Sequence, residues 1–225
     1  MKRLILGGGG DAPDSKPLDQ LLLDMIPKGK QMLYIPIAWK GENFDGCYAW
    51  IKGTFGALGF QDIVMWTNLK GKTYEDIKSF GAIYIGGGNT FTLLDKMRKT
   101  KFLTALKKYI ERGNTVYGGS AGAIILGRDI RTASFGGDAD ANDARVRNFH
   151  GLNLLKDFTV QCHYKQEQDR EITDFVQKTG LVVIALPERS GLYVEDKHIQ
   201  VKGFEPAVLF KKDRKLFKKP GTGIK

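Results

Sequence analysis

The sequence has 225 residues, of which 42% are hydrophobic and 27% are charged, and these proportions are typical of a globular protein that buries its own core. No apolar run approaches the ~18 residues of a membrane-spanning helix and the first residues lack the apolar segment of a signal peptide, so we expect a cytoplasmic protein without a membrane partner. The formal net charge is +10, but the lysines cluster in helical patterns and in a basic tail at 212–225 that we expect to be frayed, so nucleic-acid binding is not indicated.

Short apolar runs alternate with helical patterns through the first half of the chain. Parallel neighbours in a sheet need a long crossover connection, and a helix usually supplies it. The alternation therefore predicts an α/β fold with a predominantly parallel sheet and helices on both faces. The expected strands are 3–6, 31–38, 62–66, 82–88 and 115–119, and the expected helices are 17–26, 47–59, 73–80, 90–99 and 101–113.

The pattern changes after residue 127. Residues 132–151 show no apolar period and are expected to form a long loop, and loops of this length are often functional. The α/β pattern then resumes, and the chain ends in short alternating runs that predict C-terminal antiparallel strands. We expect a single domain over 1–225. The later elements are a strand at 158–164, a helix at 170–180, a strand at 181–188 and antiparallel strands at 191–196, 198–203 and 207–212.

Glycines surround a serine where the strand at 115–119 ends. Gly118, Ser120 and Gly122 have the G-x-S-x-G spacing of a nucleophile elbow, in which a serine on a sharp strand-to-helix turn needs small neighbours. A helix starting at Ala121 would direct free backbone N–H groups towards a developing oxyanion. An ordinary glycine-rich turn is the alternative, and the second glycine-rich strand end, "GGGNT" at 86–90, is also compatible with a phosphate-binding turn.

A serine hydroxyl is a weak nucleophile until a base, usually histidine, accepts its proton. The chain has three histidines. His198 lies in a predicted hairpin and is expected at the surface, and His150 lies in the long loop. His163 ends the strand at 158–164, so its ring can emerge at the same sheet edge as Ser120; a core position is its alternative.

The base in turn needs a carboxylate that orients its ring. Glu188 ends another buried strand, which should finish at the same edge. Asp138, Asp140 and Asp143 in the long loop are alternatives. Their segment, "DADAND", superficially resembles a calcium loop, but it lacks the glycine at position six and the glutamate at position twelve, so no metal site is expected.

Taken together, these motifs resemble the aspartyl dipeptidase (peptidase E) and cyanophycinase family of serine peptidases. The resemblance implies a fold like the class I glutamine amidotransferase domain, which is flavodoxin-like, and a catalytic triad of Ser120, His163 and Glu188. The matching segments follow one another in order within residues 80–195, and they are "GGGNTFTLL" (86–94), "GGSAGA" (118–123), "GLNLL…QCHY" (151–164) and "IALPE" (184–188).

The resemblance also implies hydrolysis of a small peptide without a metal or cofactor. The backbone N–H groups of Gly88 and Ala121 would form the oxyanion hole, with Asn89 nearby. A preference for N-terminal aspartate is expected if Arg170, with Lys165 nearby, binds the aspartate carboxylate, because a guanidinium suits a carboxylate better than an ammonium does. The alternative for Arg170 is a place on the helix surface.

Two other functions stay open from the sequence. A non-catalytic protein of the same fold could bind a small anion at the "GGGNT" turn. A glutaminase-like amidotransferase would use a cysteine at the elbow, where Ser120 stands, and Cys47 and Cys162 lie elsewhere. Within the family, a cyanophycin-type polymer is a further substrate. The sequence leaves open the substrate, a monomeric or homodimeric state, and whether loop 133–149 closes over the site or supplies the triad acid from Asp138 or Asp140.

Overall fold

The computed structural model describes residues 1–41 and 44–224. The regular structure of these residues consists of two sheets, seven α-helices and two short 3₁₀ helices, Arg131–Ser134 and Gln166–Gln168. The strands are β1 (Arg3–Gly7), β2 (Met32–Ile35), β3 (Ile63–Met65), β4 (Ala82–Ile85), β5 (Thr115–Gly119), β6 (Thr159–Gln161), β7 (Val183–Ala185), β8 (Ser190–Glu195), β9 (His198–Gly203), β10 (Ala207–Lys211), β11 (Arg214–Lys218) and β12 (Gly223–Ile224). The helices are α1 (Ala12–Met25), α2 (Phe44–Gly56), α3 (Tyr74–Ile77), α4 (Thr90–Lys99), α5 (Phe102–Glu111), α6 (Ala121–Leu126) and α7 (Asp169–Thr179).

The larger sheet has the strand order β12-β9-β8-β1-β5-β4-β2-β3. Five neighbouring strands of this sheet, β1, β5, β4, β2 and β3, are parallel. On the other side of β1, the strands β8, β9 and β12 continue the sheet in antiparallel pairing. The predicted parallel sheet with C-terminal antiparallel strands is therefore confirmed.

Successive side chains of the parallel strands alternate between two hydrophobic clusters. In β1, Leu4 and Leu6 join the larger cluster and Ile5 the smaller one; in β4, Ile83 and Tyr84 divide in the same way. Helices α1 and α2 pack into the smaller cluster, and α3 to α6 pack into the larger cluster on the opposite face. This arrangement confirms the prediction of helices on both faces of the sheet, because strands that are apolar on both sides need a packed layer on each side.

A second sheet with the order β11-β10-β7-β6 contains the strands that lead to His163 and Glu188. The sequence suggested that these strands end at the same sheet edge as β5, but they do not belong to that sheet, because β8 occupies the place beside β1. The two sheets still meet at their ends: the His163 N–H donates to the Gly8 carbonyl at 2.8 Å, just after β1. The site therefore lies between two sheets.

The expectation of a frayed basic tail is wrong for the described part of 212–225. All five residues of β11 pair with β10, and β12 pairs with β9 through Gly223 and Ile224. The Lys215 ammonium forms a 2.5 Å ion pair with Asp169 and lies over the Phe217 ring. Backbone pairing and these contacts order the segment despite its charge, while Lys225 lies outside the described residues.

Helix boundaries differ from the sequence expectation mainly at α1. This helix begins at Ala12 rather than at 17, and Pro13 lies in its first turn, where a missing N–H costs no hydrogen bond. The Ser15 hydroxyl donates to Asp19 at 2.6 Å one turn later. None of the helices in the described residues is both long and apolar enough to span a membrane.

Candidate active site

Ser120 occupies a strained turn between β5 and α6. Its backbone has φ 48° and ψ −110°, a conformation that side-chain-bearing residues seldom adopt. A Cβ atom at Gly118 would lie 2.5 Å from the carbonyl of Gly122, and one at Gly122 would overlap the carbonyl oxygen of Ile85. Both glycines of the G-x-S-x-G motif are therefore required by close backbone packing, and the turn holds the serine at the carboxyl end of the sheet.

The structure brings Ser120, His163 and Glu188 together in one chain of contacts. The Ser120 Oγ lies 2.9 Å from His163 Nε2, and His163 Nδ1 lies 3.0 Å from Glu188 Oε1. An ionised Glu188 carboxylate can only accept a hydrogen bond, so it favours the His163 tautomer that carries its proton on Nδ1. In that tautomer the lone pair of Nε2 faces the Ser120 hydroxyl. This arrangement suits proton transfer from the serine to the imidazole.

The glycine run after β1 is hydrogen-bonded to the backbone of His163 and Glu188 and lies against the imidazole ring. The Gly10 N–H donates to the Glu188 carbonyl at 3.3 Å, and His163 is bonded to the Gly8 carbonyl as described above. A Cβ atom at Gly9, where φ is +112°, would overlap Cε1 and Nε2 of the His163 ring. Sequence reasoning missed this segment, although "GGGG" at 7–10 is a third glycine-rich strand end and was a usable signal.

Two backbone N–H groups are expected to form the oxyanion hole, those of Gly88, which is exposed, and of Ala121, which is buried. Neither the Gly88 nor the Ala121 N–H donates a hydrogen bond within residues 1–41 and 44–224. Gly88 has φ +124°, and a Cβ atom there would lie 2.5 Å from the Ala38 carbonyl oxygen, so the turn requires glycine. Both expected donors therefore lack an acceptor within the described residues.

Two cavities meet at Gly88, Ser120 and His163, which line both of them. Their volumes are about 620 Å³ and 590 Å³, within the usual range for small-molecule sites. We call the first the acidic cavity, because its lining includes the carboxylates of Asp138, Asp140, Glu167, Glu171 and Glu188. We call the second the aromatic cavity, because its lining includes Tyr34, Trp39, Trp50 and Tyr84.

Of the loop carboxylates, Asp143 forms a 2.6 Å ion pair with Lys40. Asp140 accepts from the Thr90 N–H at 2.8 Å, and burial raises the pKa of its carboxyl group above the ordinary value. Among the described residues, none of the three loop aspartates is hydrogen-bonded to His163, whereas Glu188 is. Asp138 and Asp140 instead line the acidic cavity, so part of loop 133–149 forms a wall of the site.

The two expected substrate contacts, Asn89 and Arg170, do not belong to the lining of either cavity. Asn89 is only 4% exposed, and its side chain accepts from the Thr92 N–H and donates to the Ala141 carbonyl, both at 2.9 Å. Asn89 therefore caps α4 with its amide oxygen and anchors loop 133–149 with its amide nitrogen. Arg170 is exposed on α7 and lines neither cavity, because this helix buries its opposite face.

Neither cysteine occupies the elbow. Cys162 is buried, its thiol faces the Gly7 and Ser120 carbonyl oxygens at 3.7 and 3.6 Å, and burial raises the thiol pKa far above its ordinary value. A thiol held in this protonated form is not a nucleophile. Cys47 lines the aromatic cavity, and burial raises its pKa as well.

Comparison with known proteins agrees with this geometry. The model of peptidase family S51 matches residues 4–202. The chain belongs to peptidase family S51. Membership of the family confirms the resemblance drawn from the glycine motifs and the prediction of a serine-type peptidase.

Relatives of this S51 chain carry peptidase names. Peptidase E of Actinobacillus pleuropneumoniae serotype 5b (strain L20) is 26% identical over 233 residues, which cover 96% of this chain and 95% of the relative. A Drosophila melanogaster protein named "Probable alpha-aspartyl dipeptidase" is 28% identical over 195 residues, 82% of this chain and 77% of its own. The solved structure of a peptidase from an acI-B1 actinobacterium has a TM-score of 0.77 at 20% identity, covering 100% of this chain and 96% of its own, and shows a shared fold.

Proposed function

We propose that this S51 peptidase hydrolyses small peptides with Ser120 as nucleophile, His163 as general base and Glu188 as the carboxylate that orients His163. The observation that supports this proposal is the unbroken chain of contacts from the Ser120 hydroxyl through the imidazole to Glu188, 2.9 Å and 3.0 Å long. The first contact is within the reach that proton transfer needs, and the second is within hydrogen-bonding distance.

In this mechanism Ser120 Oγ attacks the scissile carbonyl carbon while His163 Nε2 takes the hydroxyl proton. The Gly88 and Ala121 N–H groups donate to the oxyanion of the tetrahedral intermediate. The C–N bond then breaks, and His163 returns its proton to the leaving amine, which leaves an acyl-enzyme on Ser120. A water molecule, deprotonated by His163, attacks the acyl carbon, and breakage of the ester bond restores the serine hydroxyl. Each oxyanion donor contributes on the order of 10²–10³ to the rate.

The alternatives from the sequence have less support. A small anion at the Gly88 turn would lie beside the acidic cavity, whose five carboxylate residues disfavour an anion. A glutaminase-like amidotransferase needs a reactive thiol at the elbow, but Cys162 is buried and protonated. Dipeptidase activity is part of our proposal because relatives named peptidase E and alpha-aspartyl dipeptidase match the chain over most of its length. A preference for N-terminal aspartate was expected from a contact with Arg170, and this contact has no support because Arg170 lines neither cavity.

The test is hydrolysis of a peptide panel followed by product detection. The panel contains X-Leu dipeptides and longer peptides with Asp, Glu, Ser, Ala or Arg at the first position. We expect turnover of at least one peptide by the wild type and a loss of at least about 10³-fold in Ser120→Ala and His163→Ala. His198→Ala, at an exposed position in the β8–β9 hairpin, is the matched control and should keep wild-type activity. Equal rates in all four proteins would refute the proposal.

A further inference from the structure

We propose that the aromatic cavity binds an aromatic side chain of the substrate, carried by one of the two residues that flank the scissile bond. This inference rests on the proposed peptidase function and names a substrate class for it. The argument depends on three observations: the cavity lies beside Ser120, aromatic rings in its wall are exposed to solvent, and its lining carries little charge.

The aromatic cavity begins at the reacting groups. Ser120 and His163 belong to its lining, and so does Gly88, whose N–H is one of the two expected oxyanion donors. A Cβ atom at Gly119, the residue before the nucleophile, would lie 3.0 Å from the Tyr84 hydroxyl, so this tyrosine of the cavity wall reaches the elbow itself. A substrate whose carbonyl carbon lies at the serine hydroxyl therefore extends a neighbouring residue towards the cavity.

Three rings from three different elements form a wall of the cavity. Tyr34 in β2, Tyr84 in β4 and Trp50 in α2 contact one another pairwise, with ring centroids 5.7–6.4 Å apart and interplanar angles of 43–69°. Tilted and edge-on arrangements are favourable for aromatic pairs, and a ring of the substrate can join the cluster in the same way. Because the wall rings are already packed against each other, little side-chain freedom is lost when a ligand binds.

The wall also exposes large apolar surfaces to solvent. Trp39 and Trp50 both line the cavity and are 49% and 38% exposed. Phe204 is exposed to the same extent as Trp39, but the Arg189 guanidinium lies over its ring at 5.0 Å. Trp39, in contrast, contacts neither a cation nor another aromatic ring among the described residues. A ring of the substrate would cover the indole and remove this apolar surface from water.

The lining favours a neutral ring over a charged side chain. Apart from His163, its only residue with an ordinarily charged side chain is Asp11, and it contains neither lysine nor arginine. Burial raises the pKa of the Cys47 thiol and of the Tyr34 phenol, so both stay neutral at neutral pH. An aspartate side chain would find no ammonium or guanidinium to pair with, and a cationic side chain would find a single carboxylate.

The experiment compares peptides that differ in one side chain only. Phenylalanine, alanine, aspartate and arginine are placed in turn at each position flanking the scissile bond, and kcat/KM is measured. Burial of a phenylalanine side chain favours binding by roughly tenfold to a hundredfold, so we expect phenylalanine to exceed alanine by about tenfold or more at one position. Equal kcat/KM for phenylalanine and alanine at both positions would overturn the inference. Faster cleavage of the aspartate or arginine peptide at the position that favours phenylalanine would do the same.

Truncation of the wall should remove the preference and keep the activity. Trp39→Ala should reduce the ratio of kcat/KM for the phenylalanine and alanine peptides by about fivefold or more, with kcat/KM for the alanine peptide within about twofold of the wild type. Trp50→Ala is a second variant and should lower the ratio in the same direction. Phe217→Ala, which removes an exposed ring that lines neither cavity, is the matched control and should keep the wild-type ratio. A wild-type ratio in both folded tryptophan variants would contradict the inference.

A measurement of binding separates this inference from the peptidase proposal. Cys47 lines the aromatic cavity, whereas Cys162 is only 2% exposed, so N-ethylmaleimide should alkylate the first thiol and spare the second. In Ser120→Ala, where no turnover is needed, we expect the phenylalanine peptide to protect Cys47 at an about tenfold lower concentration than the alanine peptide.

The two proposals can then fail separately. If peptides are cleaved but phenylalanine and alanine peptides protect Cys47 equally, the aromatic site is ruled out and the peptidase proposal stands. If no peptide is cleaved but the phenylalanine peptide still protects Cys47 selectively, the peptidase proposal fails and the aromatic site stands.

Discussion

Replacing Gly9 by alanine should disable the site from a position that supplies no catalytic group. The new Cβ atom would overlap Cε1 and Nε2 of His163 and lie 2.9 Å from Nδ1. Either the ring or the Gly9 backbone must then move by roughly 1 Å, because van der Waals contact between carbon atoms needs about 3.5 Å. A displacement of this size breaks the 2.9 Å contact between Nε2 and the Ser120 hydroxyl. Misplacing a catalytic group by ~1 Å can cost about 10²-fold in rate.

The assay is the rate at which a fluorophosphonate probe labels the protein, with thermal unfolding measured in parallel. Alanine at φ +112° is also strained, which should cost on the order of 1–3 kcal/mol of stability. Gly71→Ala is the matched control, since Gly71 also has a positive φ, +74°, but a Cβ atom there would meet no other atom within 4 Å. We expect both variants to lose stability but only Gly9→Ala to lose labelling. A folded Gly9→Ala protein that is labelled as fast as Gly71→Ala would refute this reasoning.

Three further predictions concern the carboxylates and the buried cysteine. Glu188→Gln should slow fluorophosphonate labelling by at least about 10²-fold, because an amide cannot stabilise the imidazolium of His163. Asp140→Asn should slow labelling by less than about fivefold. A larger loss in Asp140→Asn than in Glu188→Gln would make Asp140 the triad acid. Burial raises the pKa of Asp19 to about 6, so the folded protein binds this proton more tightly than the unfolded chain. The free energy of unfolding of the wild type, measured with urea, should therefore fall by up to about 3 kcal/mol between pH 4 and pH 7 relative to that of Asp19→Asn. Stability that depends on pH in the same way in both proteins would contradict this. Cys162→Ala should keep wild-type labelling, since its thiol is protonated at neutral pH, and loss of labelling in a folded variant would reopen the amidotransferase alternative.

The parts of the site that could be predicted from the sequence lie at the ends of recognisable strands. Ser120 stands in a short motif whose glycines are required by local backbone packing. His163 and Glu188 each follow an apolar run, so their positions at strand ends could be predicted. Their contacts with each other and with Ser120 depend on a second sheet whose pairing joins distant segments, and no local pattern predicts that pairing.

For two further residues, the local role was open to more than one interpretation from the sequence. Asn89 precedes α4 in the position of an N-cap, so its structural role could have been predicted from capping preferences. The orientation of Arg170 follows from the buried face of α7, which Ile172, Phe175 and Val176 form. The "GGGG" segment could mark a functional strand end, but the contact of Gly9 with His163 could not be predicted, because it joins residues 154 positions apart through the junction of two sheets.

The most direct test of Ser120 as the nucleophile is to locate the covalent adduct that a fluorophosphonate probe forms. After labelling, trypsin should cleave at Arg112 and Arg128 and release residues 113–128, which contain Ser120 as their only serine. Mass spectrometry should then find the phosphonate on that peptide in the wild type and in His198→Ala, and on no peptide in His163→Ala. An adduct on a different serine, or equal labelling of residues 113–128 when the imidazole at 163 is absent, would contradict the claim that His163 activates Ser120.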